Sequence, residues 1–93
     1  MTDELKHSLV EIEYALCSEY PPYFLEVCYE EEHPAFIHIV ICRDYTEYSI
    51  NERVSEEFLL LKERLPDIIN KHSVVIEAFN PDEMENLIDS LFQ

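Results

Sequence analysis

The chain has 93 residues, of which 21 are acidic and six are Lys or Arg, for a net charge of −15. That length bounds a single domain burying about 60–65% of its unfolded surface, with little room for a deep substrate cavity. The charge excludes direct binding to a nucleic-acid backbone or an anionic membrane, because both require a basic face. The 47% apolar content is ordinary for a folded domain. No apolar run approaches the roughly 18 residues a membrane span needs, and Met-Thr-Asp-Glu-Leu lacks the basic start and apolar stretch of a signal peptide. Three widely spaced cysteines, Cys17, Cys28 and Cys42, fit neither a disulfide framework nor a CxxC pair. The expectation is a cytoplasmic protein with reduced thiols and no membrane contact.

A first helix is marked by Leu5, Leu9, Ile12 and Leu16 at helical spacing, with Thr2 as cap and Asp3 and Glu4 against the positive end of its dipole. Pro21-Pro22 ends it. Two strands follow, Tyr23 to Tyr29 and Ala35 to Cys42, joined by Glu30-Glu31-Glu32-His33-Pro34 at hairpin length. A second helix opens on Ser49-x-x-Glu52, a capping box, and carries Val54, Phe58, Leu61 and Leu65 as its apolar stripe. Pro66 interrupts it before one further helical turn, Asp67 to Lys71. Val74 to Phe79 alternates as a third strand. Asn80, Pro81 and Glu83 then mark a last helix, whose stripe of Met84, Leu87, Ile88 and Leu91 is expected to be buried.

The fold class is therefore α+β, in the order α-β-β-α-(α)-β-α. The helical connection between the second and third strands makes them parallel, giving a three-stranded mixed sheet with helices on one face. Leu25, Val27, Ile37, Ile39 and Ile76 should meet Leu9, Ile12, Phe58 and Leu61 in the core. With Tyr29 set opposite Ala35, the other face carries Phe24, Glu26, Cys28, Phe36, His38, Val40, Cys42, Val75, Glu77 and Phe79, the two cysteines lying far apart along the strands. Three Phe rings on a solvent face suit an interface, either a homodimer or a docked partner.

Catalytic chemistry finds little support. No glycine occurs, which removes phosphate-cradling loops, dinucleotide fingerprints and nucleophile elbows in their usual form. The one constellation is Glu26 opposite His38, with Glu77 on the same face. Such a group suits a proton relay or a two-carboxylate metal site, but a simple cross-strand pair explains it better. No metal-ligand spacing occurs along the chain. No enzyme activity, metal or cofactor is expected.

Tyr23-Phe24-Leu25-Glu26-Val27, Phe36-Ile37-His38-Ile39-Val40, Ile50-Asn51-Glu52-Arg53 and Ala78-Phe79-Asn80-Pro81-Asp82-Glu83 together resemble the BolA family over about three-quarters of the chain. The resemblance implies a type II KH-like topology and an adaptor acting as a dimer or with a redox partner. Glu52-Arg53-Val54 stands where that family carries Arg-His-Arg, so the histidine that would ligate a shared iron–sulfur cluster is missing. The GxxG loop of nucleic-acid-binding KH domains is likewise impossible here.

The charge points elsewhere. Carboxylates spread over helices and loops imitate a phosphate backbone and suit the basic groove of a nucleic-acid-binding protein. In size and charge the chain is similar to small phage anti-defence, anti-CRISPR and nuclease immunity proteins, a likeness of composition. The expected contacts are Glu30, Glu31 and Glu32 at the hairpin tip and Glu11, Glu13 and Glu19 on the first helix. The competing explanation is that acidity serves only solubility.

Overall fold

The computed structural model describes residues 2–92. In chain order these form α1 (Asp3–Cys17), β1 (Phe24–Glu30), β2 (Phe36–Cys42), α2 (Ile50–Arg64), α3 (Pro66–Lys71), β3 (Val74–Phe79) and α4 (Pro81–Leu91). The sheet order is β1-β2-β3, with β1 antiparallel and β3 parallel to β2. This is the expected α+β mixed sheet. No described helix is long and apolar enough to cross a membrane.

Local chemistry explains the helix starts. The Thr2 hydroxyl accepts from the Leu5 N–H at 3.1 Å. Ser49 and Glu52 exchange side-chain-to-backbone bonds at 3.3 and 3.2 Å, satisfying two free N–H groups at once. Without glycine, no described residue has a positive φ.

Ile12, Leu16, Ile37, Ile39, Ile41 and Leu61 are fully buried, and Tyr45, Ile69, Ile76 and Ala78 join them. Leu9, Leu25, Val27 and Phe58 pack around this centre only partly buried. Ile39 lies on the central strand with no exposed surface. Ile39→Ala should cost about 2–4 kcal/mol in chemical denaturation, through lost transfer energy and a residual cavity. A loss below about half a kcal/mol would mean that the inward face has been assigned to the wrong residues.

Two expectations need correction. Glu30 pairs with Phe36 and Cys28 with His38, so Glu26 faces Val40 and the expected Glu26–His38 pair does not form. β1 begins and ends one residue later than expected and β2 begins one residue later, and the pairing shifts by two, which leaves the faces unchanged. Glu30 reads as loop by composition, but its carboxylate accepts from the Cys28 thiol at 3.6 Å and the residue stays in β1.

The second correction is α4, which buries none of its residues. Leu87 and Ile88 are each 46% exposed and Leu91 is 75% exposed. Polar bonds hold the start of this helix. Arg53 Nη1 donates to Glu83 Oε1 at 2.6 Å, and the Tyr45 N–H donates to Asn80 Oδ1 at 2.6 Å. Beyond that turn a cleft of about 490 Å³ opens between α2, β3 and α4, lined by Ile50, Val54, Ile76, Phe79 and Leu87 among others.

Candidate functional site

Arg43, the first residue after β2, organises the surface where α1 meets α2. Helix α1 has no basic residue in its last turn, so its C-terminal carbonyls lack a cation of their own. Arg43 supplies one. Its Nη2 donates to the Leu16 carbonyl at 2.5 Å, and Nη1 donates to that of Tyr20. Its Nε donates to Glu57 Oε2 at 2.7 Å, and the Tyr45 hydroxyl donates to the same oxygen at 2.8 Å.

Glu57 is only 5% exposed and Tyr45 only 4%. Burial, then the charge and hydrogen bond of Glu57, push the Tyr45 hydroxyl well above its usual range, so it remains a donor. Arg53, itself buried, lies with its guanidinium carbon 5.6 Å from the Tyr45 ring centroid and donates to the Tyr48 carbonyl at 3.2 Å. No buried side-chain polar atom among the described residues lacks a partner. The charged groups form a closed network.

Above this floor lies a groove of about 730 Å³. Tyr20, Tyr23 and Tyr48 stand in its walls, 75%, 75% and 46% exposed. Its lining holds five acids, Glu19, Asp44, Glu56, Glu57 and Glu63, and two bases, Arg43 and Arg64. Arg43 is taken by Glu57, and Arg64 by Glu19 and the Ser18 hydroxyl. Asp44, Glu56 and Glu63 have no Lys or Arg partner among the described residues. The groove therefore combines exposed aromatic rings with uncompensated carboxylates. Of the acids named from the sequence, it includes only Glu19.

The other named acids are dispersed. Glu31 and Glu32 are exposed at the hairpin tip, and Glu30 is half-buried beside Cys28. Glu11 pairs with His7 at 3.2 Å, and Glu13 is exposed on α1. Tyr23 donates its N–H to the Cys42 carbonyl, at the opposite end of the hairpin from the tip. Six strand residues at about 3.3 Å each separate the tip from the groove by roughly 20 Å.

The open face of the sheet is organised in rows by the register. Phe24, Cys42 and Phe79 form one row, Glu26, Val40 and Glu77 the next, and Cys28, His38 and Val75 the third. Phe36 faces Glu30 beyond them. Polar rows thus separate Phe36 from Phe24 and Phe79. Phe24 and Val75 are 44% and 45% exposed, while Phe36, Val40 and Phe79 are half-buried. His38 Nε2 lies 3.0 Å from Glu77 Oε2, and the Phe36 ring meets the His38 ring edge-on with centroids 6.0 Å apart. Cys28, Glu30 and His38 bring one potential metal-ligating atom each within 4.8 Å of one another. The sequence places Cys28, His38 and Glu77 on this face, but it pairs His38 with Glu26 and leaves Glu30 in the loop. The grouping of Cys28 and Glu30 with His38 emerges only from the observed register.

All three cysteines are free. Burial raises the Cys28 thiol, helped by the Glu30 hydrogen bond and charge, and burial raises Cys42, helped by Glu83 and Asp82. Neither has the electropositive setting that makes a thiol a ready nucleophile.

Glu83 supplies a pH test. The Asn80 N–H, donating to Glu83 Oε1 at 2.7 Å, is the largest influence holding its carboxyl below the ordinary 4.5, and Arg53 adds to it. A depressed folded value gives stability that is full above 4.5 and is lost as pH falls through the lowered value. Glu83→Gln should therefore flatten the acid limb of the stability curve below about pH 4.5. An unchanged acid limb would show that Glu83 does not couple to folding.

Comparison with protein-family models, curated proteins and solved structures gives no match.

Proposed function

We propose that this chain is a non-catalytic binding domain for a basic protein surface, of the kind a nucleic-acid-binding protein presents, and that the tyrosine-lined groove receives it. One observation carries this reading. Four of the six Lys and Arg side chains (Arg43, Arg53, Arg64 and Lys71) pair with Glu57, Glu83, Glu19 and Glu4. A partner therefore meets 17 remaining carboxylates against Lys6 and Lys62. Such a one-signed surface accelerates encounter with a basic partner and repels nucleic acid. Tyrosine faces beside free carboxylates suit Lys and Arg side chains, through cation–π attraction and charge pairing.

Titration of the isotope-labelled protein with a short arginine-rich peptide tests the location. Resonances of Tyr20, Tyr23, Tyr48 and Asp44 should shift most, and the shifts should fade as salt rises past physiological strength. Equal shifts at Glu31, Glu32 and Glu13 would mean diffuse attraction with no site.

A second reading, the dimeric adaptor implied by the BolA resemblance, is supported by the uncovered apolar stripe of α4. Sedimentation of the wild type against Leu87→Asp and Phe36→Asp distinguishes it. A dimer that either change dissociates supports this reading, and a wild-type monomer at high concentration opposes it.

A further inference from the structure

We propose that Cys28, Glu30 and His38 form a zinc site on the open face of the sheet, with Glu77 holding the His38 ring. The three donors converge from β1 and β2, with their ligand atoms within 4.8 Å of one another. They are the one group of three or more such side chains among the described residues that meets this spacing.

The donor set selects the metal. One thiolate, one imidazole and one carboxylate make a mixed soft and borderline set that suits Zn²⁺, whereas Mg²⁺ and Ca²⁺ prefer oxygen alone. With Zn–S of about 2.3 Å and Zn–O of about 2.1 Å, tetrahedral coordination sets sulfur and oxygen about 3.6 Å apart. Cys28 Sγ and Glu30 Oε1 already stand 3.6 Å apart. The thiol proton that now bridges them is the one a metal ion replaces, leaving as a proton to solvent while a Zn–S bond forms. Thiolate and carboxylate then balance the two positive charges, so the metal with its three protein ligands carries no net charge.

His38 is already oriented. Its Nε2 lies 3.0 Å from Glu77 Oε2, and an N–H donated there leaves the lone pair on Nδ1. A carboxylate holding the far side of a ligating imidazole fixes its tautomer and raises its basicity. Phe36 restricts the ring from one side. Three protein ligands leave the fourth position to water. Glu26, in the row of Val40 and Glu77, is not part of the set.

Cobalt(II) is the probe. Protein stripped with a chelator is titrated with Co²⁺, then with Zn²⁺ in competition, and the thiols are mapped by alkylation and mass spectrometry with and without metal. The expected result is one Co²⁺ per chain, tetrahedral d–d absorption with a thiolate-to-cobalt charge-transfer band, displacement by Zn²⁺, and metal protection of Cys28 alone. Cys28→Ser should abolish the charge-transfer band. Glu77→Gln should keep it while weakening binding about 10- to 100-fold, and Cys17→Ser should change nothing. Octahedral Co²⁺ without charge transfer, protection of a different thiol, or no binding would overturn the proposal. Alkylation of the wild type decides the matter even if a variant fails to fold. The basic-partner reading does not depend on the result.

Discussion

Replacing Asp44, Glu56 and Glu63 together by lysine is expected to weaken binding of a basic partner by about 2–4 kcal/mol, roughly 30- to 1,000-fold. Each position has no Lys or Arg partner of its own, so a reversal there replaces an available attraction with repulsion. None of the three side chains is in the Glu57 network, so the fold should survive. Surface plasmon resonance separates the contributions. The groove variant should raise the dissociation rate and lower the association rate. Lysine at Glu31 and Glu32 should lower only the association rate, because the tip steers the partner at a distance without touching it in the groove. Matching losses from the two variants would mean that charge acts without a defined site.

Glu57→Ala should be the most damaging single substitution to stability, at about 3–5 kcal/mol by chemical denaturation. The carboxylate accepts from both Arg43 and Tyr45 in a nearly dry setting. Its removal leaves the 15%-exposed Arg43 side chain without a counter-charge and the buried Tyr45 hydroxyl without an acceptor. Arg43→Met with Glu57→Leu and Tyr45→Phe should recover part of the loss, since neither a buried charge nor a buried hydroxyl is then left unpaired. The Leu16 and Tyr20 carbonyls still lose their Arg43 donors. A loss under about 1 kcal/mol for Glu57→Ala would show that water fills the gap and that the network adds little.

The fold was largely legible in the sequence because its signals are local. Thr2, Ser49 and Pro81 mark helix starts, and Val74 to Phe79 alternates visibly. The parallel pairing of β2 and β3 follows from the helical connection between them. The register was off by two because Glu30 looks like loop until Cys28 provides its donor across one intervening residue. The α4 stripe misled for a related reason. Periodicity shows that a helix has an apolar face, and it cannot show whether anything lies against that face.

The groove was less legible still. Tyr20 and Tyr23 follow α1, Asp44 follows β2, and Glu56 and Glu63 are on α2. Long-range contacts bring these segments together, among them Arg43 to the Leu16 and Tyr20 carbonyls and Arg64 to Glu19 and Ser18. The named acids Glu30, Glu31 and Glu32 stood out as a run of like charge, and a run of three in a row is more conspicuous than three acids spread over twenty residues.

The most direct measurement of the basic-partner reading begins with a partner captured from cell lysate at low salt and identified. Its affinity for this chain is then followed against salt, and against competing DNA or RNA. The reading predicts a basic nucleic-acid-binding protein, an affinity that falls steeply with salt, and displacement of this chain by nucleic acid. A partner that binds no nucleic acid, held with salt-independent affinity and lost on mutation of Phe24 and Phe36, would contradict it.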